Sequence, residues 1–270
     1  MKAQFTQFTG SIPEHYEKGL VPYIFIDYGQ DLADRVAALN PEKLLEIAAG
    51  TGVVTCMLQE ALGDSTHMTV TDLNPEMLEV TQGKLGDFKN IKVQPADALA
   101  LPFDDEVFDA VICQFGVMFF PDKATSYREV YRTLKSGGKY FFNVWDSFEH
   151  NAYARIAHEV ICNTFPDNPP QFLQLPFGYY QTEAISDSLT DAGFINITVD
   201  VLRIEKIIPD TENFARGLVC GNPTAEEIKD RGDKDPEDVV SVLSEALKKE
   251  FGDNPGRMSL QSILFSVTKP

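Results

Sequence analysis

Apolar residues form five short, nearly continuous runs in the first half of the chain, and the segments between these runs carry helical spacing or turn signals. A continuous apolar run of strand length is typical of a parallel strand that is covered on both faces. Such alternation predicts βαβ units and an α/β fold with a doubly wound, mostly parallel sheet. The predicted strands lie at about 43–49, 67–73, 90–96, 107–115 and 139–145.

Two helices of this region have clear sequence signals. One follows Gly52 and places apolar residues on a broad face, namely Val53, Val54, Met57, Leu58 and Leu62. The other lies near 123–134, and we expect it to end at the stretch 135–138, which carries Gly137 and Gly138 as a C-terminal stop.

The regular alternation loosens after residue 145. We predict one domain over residues 1–270, with a core at about 30–145, 181–204 and 258–270. Insertions at about 146–180 and 205–257 are expected to form a helical cap over the site. We predict helices near 149–164 and 238–251 in the insertions, and a helix near 181–192 and strands at 195–204 and 260–268 in the core.

The charge balance limits the possible partners. Lys and Arg number 23 against 41 Asp and Glu, and the net charge of −18 disfavours attraction to nucleic acid or to an anionic membrane surface. No apolar stretch is long enough to span a bilayer, and the four cysteines show no paired spacing typical of a zinc site or a disulfide framework. We therefore expect a cytoplasmic protein without a metal, either a monomer or a homodimer.

The junction after the first predicted strand indicates a nucleoside site. Gly50 and Gly52 allow the backbone to turn sharply and to approach a ligand closely. Asp72 ends the second strand, where its carboxylate can accept hydrogen bonds from both hydroxyls of a ribose. The same carboxylate would repel a 2′-phosphate, so NADP is disfavoured.

The same turn lacks part of the dinucleotide fingerprint. That fingerprint needs a third glycine for close helix packing beside a pyrophosphate, and Thr55 stands at the corresponding position. Glu46, at the end of the first strand, would oppose a pyrophosphate but suits the cationic end of an amino acid. The predicted ligand is a nucleoside that carries an ammonium group.

Four motifs, in order across about residues 42–145, resemble those of the class I S-adenosylmethionine-dependent methyltransferases, in particular the small-molecule branch similar to the ubiquinone/menaquinone-biosynthesis enzymes. They lie at 46–52, 72–78, 96–105 and 108–116, and a stretch at 129–142 resembles the helix and turn before the fifth strand. Ala48 stands where the family has its first glycine, a replacement that we interpret as conservative.

The resemblance implies a Rossmann-like, seven-stranded sheet with an antiparallel last strand, and S-adenosyl-L-methionine as the cofactor. It assigns the methionine moiety to Glu46, Ala48, Gly50, Thr51 and Gly52, the ribose to Asp72 and Leu73, the adenine to Met77, Asp97 and Ala98, and the surroundings of the sulfur to Gln114 and Phe115. In related enzymes an amino-terminal segment such as 1–29 acts as a lid. Here it carries Phe5, Phe8, Tyr16, Tyr23 and Phe25, and Tyr16 could donate to the cofactor carboxylate.

The acceptor side is less specific. We expect an in-line transfer of a methyl group to a small organic acceptor held between the sheet and the two insertions. The predicted acceptor-binding residues are Met118, Trp145, Phe177, Tyr179, Tyr180 and Arg216, and the predicted catalytic residues are His150 and Tyr180. A neutral amine or an acidic phenol would need no general base.

Several alternatives stay open at this point. An NAD-binding oxidoreductase would share the sheet and the ribose carboxylate, and a non-catalytic S-adenosylmethionine-binding protein could have the same motifs. A protein or RNA methyltransferase would need an extended acceptor surface. The acceptor, and whether its oxygen, nitrogen, carbon or sulfur is methylated, cannot be deduced from the motifs because acceptor pockets differ among enzymes with the same fold.

Overall fold

The computed structural model of the protein describes Phe8 and residues 10–86 and 88–270. These residues contain a seven-stranded sheet. Its strands are β1 (Lys43–Glu46), β2 (His67–Asp72), β3 (Ile91–Pro95), β4 (Phe108–Gln114), β5 (Leu134–Trp145), β6 (Ile195–Ile208) and β7 (Gly256–Thr268). In the sheet they lie in the order β3-β2-β1-β4-β5-β7-β6. The predicted α/β architecture is therefore confirmed.

Most neighbouring strands of the sheet are parallel. β1 is parallel to β2 and β4, β2 is parallel to β3, and β4 is parallel to β5. β7 is antiparallel to β5, so that Asn143 lies opposite Leu264 and Trp145 opposite Ser262. Parallel strands bring their carboxyl ends to one edge of the sheet, which is where ligands bind in open α/β folds.

The described residues also form ten α-helices. They are α1 (Ile12–Gly19), α2 (Ile26–Ala37), α3 (Val53–Leu62), α4 (Pro75–Leu85), α5 (Lys123–Thr133), α6 (Ala152–Thr164), α7 (Thr182–Asp191), α8 (Thr211–Cys220), α9 (Thr224–Lys229) and α10 (Pro236–Phe251). Some of these helices begin with a side-chain cap of the usual kind: Asp122 accepts from the Thr125 amide at α5, and Asp235 begins α10 with a capping box.

The helix predicted near 123–134 is confirmed, but its C-terminal cap is Leu134 and not the stretch 135–138. The helix ends at Thr133, and Gly137 and Gly138 lie inside β5. The segment before β4 supplies hydrogen-bond donors to the last carbonyls of the helix, which have no partner inside it. The Glu106 amide donates to the Arg132 carbonyl at 2.9 Å and the Val107 amide to the Thr133 carbonyl at 2.8 Å. The chain then enters β5 at Leu134, before it reaches the glycines.

The described residues form two compact units. The sheet unit comprises 27–145, 180–202 and 262–270, and its core packs α2 and α3 on the central strands. The helical unit comprises the described part of 1–26 together with 146–179 and 203–261. In the helical unit α1 packs on α8, where a Cβ added at Gly19 would lie 2.6 Å from the Cα of Gly217. The predicted arrangement of one domain with two insertions stays a prediction.

Candidate functional site

Two acidic side chains lie at the carboxyl ends of neighbouring strands in the sheet unit. Glu46 is the last residue of β1 and Asp72 the last residue of β2, and both are buried. Between them in the chain, the turn at 48–52 leads into α3. This turn is joined to the second strand because the Gly50 amide donates to Oδ2 of Asp72 at 2.8 Å.

Glu46 is a carboxyl group with little access to water. Its side chain is 2% exposed, and Oε2 accepts a hydrogen bond of 2.6 Å from the Thr55 hydroxyl. Burial raises the pKa of Glu46 to about 8, with a smaller rise from the charge of Asp72, while the bond from Thr55 acts in the opposite direction. The ionised form of this group therefore favours a cationic ligand.

Asp72 is better supplied with hydrogen-bond donors. Oδ1 accepts from the Asn74 amide at 2.8 Å and from Nδ2 of Asn74 at 3.3 Å, in addition to the bond from Gly50 to Oδ2. Burial raises the pKa of Asp72, and the donated hydrogen bonds oppose that rise. Each carboxylate oxygen has two lone pairs, so these three contacts occupy Oδ1 and leave one acceptor site on Oδ2 for a hydroxyl group.

The turn itself has the backbone conformation that glycine favours. Gly50 has φ +57° and Gly52 has φ +77°, and a Cβ added at Gly50 would meet no atom within 4 Å. Thr51 is 1% exposed, and its hydroxyl has no hydrogen-bond partner among the described residues. Open space beside Gly50 and an unsatisfied buried hydroxyl fit a polar ligand at this turn.

Ala48 shows why the family uses glycine at that position. Its φ is +54°, a left-handed conformation that disfavours every residue with a Cβ. A Cβ added at Gly116 would lie 2.6 Å from the Cβ of Ala48, so Gly116 has to lack a side chain in order to accommodate Ala48. Ala48 is therefore held in an unfavourable backbone conformation.

The residues predicted to contact adenine and ribose follow β2 and β3. Leu73 is 55% exposed, whereas Met77 is buried on α4 and Ala98 is buried after β3. Asp97 is exposed, and its Oδ1 accepts from the Leu99 amide at 2.9 Å. The strands thus bring the predicted residues to one edge of the sheet, but their contact with a nucleoside stays a prediction.

An aromatic cluster occupies the carboxyl ends of β4 and β5. The ring of Phe115 stacks on Trp145 with centroids 4.2 Å apart, and Tyr28 of α2 meets both rings edge-on. Phe115 has φ +51°, an uncommon conformation for an aromatic residue and one that is found preferentially at functional sites. Met118 joins the cluster, because its sulfur lies 3.4 Å from the Trp145 amide nitrogen.

Polar groups lie next to this cluster. Gln114, the last residue of β4, is partly buried, and in the neighbouring strand it is opposite Asn143. Asn143 is 0% exposed, and neither polar atom of its side-chain amide has a hydrogen-bond partner in the described part of the chain. Tyr180, also in the sheet unit, is partly buried.

The other predicted residues belong to the helical unit. Tyr16 stacks on Phe25 with centroids 5.1 Å apart, and Phe177 stacks on Phe148 at 5.1 Å. Tyr179 is partly buried, and Phe5 lies outside the described residues. The roles of these residues stay predictions.

Two polar residues of the helical unit were predicted to act on the acceptor. Arg216 forms ion pairs with Glu212 and Glu237 at 3.1 and 3.0 Å, so that its charge is already matched. His150 is exposed after β5. The participation of Arg216 and His150 in binding or catalysis also stays a prediction.

Sequence reasoning missed three residues that support the site. In the sequence analysis Thr55 was used only as an argument against a dinucleotide, yet its hydroxyl donates a hydrogen bond to Glu46. Tyr28 and Thr81 carried no signal beyond a buried position on a helix, although Tyr28 joins the aromatic cluster and Thr81 contacts the glycine turn. A polar residue on an otherwise apolar helix face was the only available indication for Thr81.

Neither a metal cluster nor a membrane span is present in the described residues. No group of three or more His, Cys, Asp or Glu side chains among residues 10–86 and 88–270 could hold a metal ion. No helix in the described part of the chain has the length and apolar character needed to cross a membrane.

Comparison with known proteins places this site in a family context. The model of the ubiE/COQ5 methyltransferase family matches residues 27–163. A demethylmenaquinone methyltransferase of Staphylococcus aureus is 29% identical over 168 residues, which cover 58% of this chain and 69% of that protein.

Solved structures share the fold at lower sequence identity. The phosphoethanolamine N-methyltransferase 2 of Haemonchus contortus, in complex with S-adenosyl-L-methionine, has a TM-score of 0.62 at 18% identity, covering 98% of this chain and 58% of that one. The [4+2]-cyclase SpnF has a TM-score of 0.54 at 17% identity, covering 89% of this chain and 81% of that one. One architecture therefore supports methyl transfer and cyclisation, and the reaction has to be argued from the site.

Proposed function

We propose that this chain, which belongs to the ubiE/COQ5 methyltransferase family and uses S-adenosyl-L-methionine as its cofactor, methylates a small organic acceptor with a planar apolar ring. The observation that carries the cofactor half is the pair of buried carboxyl groups, Glu46 and Asp72, on the two sides of the glycine turn. Two carboxyl groups that can ionise beside a close-approach turn suit a nucleoside with cationic groups and oppose a pyrophosphate.

Each residue of the turn then has a defined task. The Asp72 carboxylate accepts from a ribose hydroxyl, and the Glu46 carboxylate attracts the ammonium group. The amide and hydroxyl of Thr51 face the polar end of the amino acid moiety, and Met77 packs on the adenine. The cofactor supplies a methyl group activated by a positively charged sulfur, so the protein has mainly to align the acceptor and exclude water.

The aromatic cluster is the observation that favours an acceptor with a ring. Phe115, Trp145 and Met118 are buried and form an apolar, polarisable cluster at the carboxyl ends of β4 and β5. Aromatic faces favour stacking on planar rings. The name of the Staphylococcus aureus relative, a demethylmenaquinone methyltransferase, points to the same class of acceptor.

Alignment, rather than a general base, is expected to dominate the rate. His150 is exposed, and we predict that His150→Ala lowers kcat by less than about 10-fold, below the 100-fold or greater loss typical of a missing general base. Steady-state rates with a saturating acceptor test this prediction. A loss of about 100-fold with unchanged acceptor KM would instead assign the proton transfer to His150.

The direct test measures turnover against a panel of acceptors. The protein is incubated with S-adenosylmethionine and, in separate reactions, a naphthoquinol without a ring methyl group, a catechol, phosphoethanolamine and a primary amine. S-adenosylhomocysteine and the methylated product are detected by mass spectrometry. We expect turnover with a ring-bearing acceptor. Methylation confined to phosphoethanolamine or the amine would refute the ring class, and cofactor binding without any turnover would favour a non-catalytic role.

Asp72→Ala tests the cofactor half by itself. The loss of a charged acceptor for a ribose hydroxyl should weaken S-adenosylhomocysteine binding by about 1.5 to 3 kcal/mol, or roughly 10- to 150-fold. Asp64→Ala, which removes an exposed carboxylate of the same unit, is the matched control. Calorimetric titration of a folded Asp72→Ala protein with wild-type affinity would exclude Asp72 from the site.

A further inference from the structure

One threonine of α4 contacts both glycines of the turn. Thr81 is 0% exposed, and its Oγ1 lies 2.8 Å from the Gly50 carbonyl oxygen and 3.2 Å from that of Met77. A Cβ added at Gly52 would lie 2.7 Å from the methyl carbon of Thr81. The hydroxyl of Thr81 therefore reaches the first glycine, and its methyl group packs against the second.

Gly50 depends on hydrogen bonds for its position. It has no side chain, and the space in front of its Cα is open to at least 4 Å. Its amide donates to Asp72 at 2.8 Å, and its carbonyl accepts from Thr81 at 2.8 Å. The residue is thus held from one side by β2 and from the other by α4.

The bond from Thr81 also orients the next amide group. A peptide group is planar and trans, so the N–H of Thr51 points away from the Gly50 carbonyl and hence away from Thr81. Thr51 additionally has a buried hydroxyl without a partner among the described residues. One hydrogen bond from α4 therefore orients the amide donor of Thr51, two residues before α3 begins.

We propose that Thr81 is a positioning residue for the amino acid half of the cofactor site. Its hydroxyl fixes the peptide between Gly50 and Thr51, and Thr51 then donates to the carboxylate of the amino acid moiety. Because Met77 is one helical turn before Thr81, α4 supports both the adenine end and the amino acid end. This inference rests on the proposed assignment of the turn to the methionine moiety.

Two ligands separate the amino acid half from the nucleoside half. S-adenosylhomocysteine contains both halves, and 5′-methylthioadenosine contains only the nucleoside half. Thr81→Val removes the hydroxyl and keeps the methyl group, whereas Thr81→Ser does the reverse. By titration calorimetry we expect Thr81→Val to weaken S-adenosylhomocysteine by about 5- to 20-fold and methylthioadenosine by less than about 2-fold. Thr81→Ser should stay within about 3-fold of wild type for both ligands.

A second threonine provides the matched control. Thr66 is also fully buried in the sheet unit, and its hydroxyl donates to the Pro41 carbonyl at 2.7 Å. Thr66→Val removes the same kind of hydrogen bond and should lower the melting temperature to a similar extent, with ligand affinities unchanged. If Thr81→Val does not fold, Thr81→Ala compared with Thr81→Ser isolates the hydroxyl in the same way.

The possible outcomes distinguish this inference from the proposed function. Equal weakening of both ligands in Thr81→Val, or wild-type affinity for S-adenosylhomocysteine, overturns the positioning role of Thr81 alone. Failure of the unaltered protein to bind S-adenosylhomocysteine overturns the cofactor assignments and this inference together. Selective loss of S-adenosylhomocysteine affinity, rescued by Thr81→Ser, supports the positioning role.

Discussion

Glu46 should destabilise the cofactor-free protein in a way that depends on pH, and Glu46→Gln should remove that dependence. The side chain is 2% exposed, and burial raises its pKa from 4.5 to about 8. Glutamine has the same shape, carries no charge, and can still accept the hydrogen bond that Thr55 donates to Glu46 at 2.6 Å. The substitution therefore isolates the free energy of keeping an ionisable group in this place.

The sign of the effect follows from proton binding in the two states. Below pH 4.5 the folded and unfolded chains both hold the proton, and Glu46 has no pH-dependent effect on stability. As pH rises towards 8 the unfolded chain releases the proton and the folded chain keeps it, so the free energy of unfolding falls. At 1.36 kcal/mol per pH unit, the loss is about 1 kcal/mol at pH 5, about 3 at pH 7 and about 5 at pH 9.

Urea denaturation of the cofactor-free protein at these pH values measures the effect. The stability advantage of Glu46→Gln over the wild type should grow with pH by the amounts above. Glu60→Gln, at an exposed position on α3, is the control and should differ from the wild type by less than about 0.5 kcal/mol throughout. A Glu46→Gln advantage that is constant from pH 5 to 9 would show that Glu46 is not a buried carboxyl with a raised pKa.

The same variant should lose affinity for the cofactor product. An ammonium group near Glu46 stabilises the ionised carboxylate, so S-adenosylhomocysteine binding to the wild type should release protons below pH 8. Calorimetry in buffers of different ionisation enthalpy counts these protons, and Glu46→Gln should release fewer of them. Glu46→Gln should therefore raise the stability of the cofactor-free protein and lower its affinity for S-adenosylhomocysteine.

Three further substitutions test the packing around the site. Ala48→Gly should raise the free energy of unfolding by about 0.5 to 1 kcal/mol because it relieves a left-handed alanine, whereas Ala49→Gly, in the same segment, should not. Gly116→Ala should lower the free energy of unfolding by about 1 to 3 kcal/mol through the contact with Ala48. Combining Gly116→Ala with Ala48→Gly should restore part of the loss. Asn143→Leu should raise it by about 1 to 3 kcal/mol by removing a buried unsatisfied amide. Urea denaturation measures all three, and an additive double variant or a destabilised Asn143→Leu would contradict the respective reasoning.

The architecture could be predicted because its signals are local. Each apolar run reports the burial of its own strand, and the order of strands and helices limits the sheet to a few topologies. The glycine turn and Asp72 could be recognised for the same reason. Their chemistry lies at strand ends, and the fold brings the carboxyl ends of parallel strands to one edge of the sheet.

The details of the strand and helix ends depended on partners distant in sequence. The last two carbonyls of α5 accept from the amides of Glu106 and Val107, and the chain enters β5 at Leu134, before the stretch 135–138 that was interpreted as the helix stop. The strain at Ala48 could not be predicted from composition, because alanine is usually a permissive replacement and only the backbone angle at this turn makes it unfavourable.

What the sequence determined by itself was therefore the sheet, the turn and the acidic groups at the strand ends, because neighbouring residues carry those signals. Only the tertiary structure decided which side chains hold the turn in place. Thr81 is 31 residues from Gly50 in the chain, and helical spacing predicts that a residue is buried without indicating what it contacts. Its hydroxyl finds the Gly50 carbonyl because α4 packs beside the turn, and a hydrogen bond requires that the two groups meet at about 3 Å with the correct orientation.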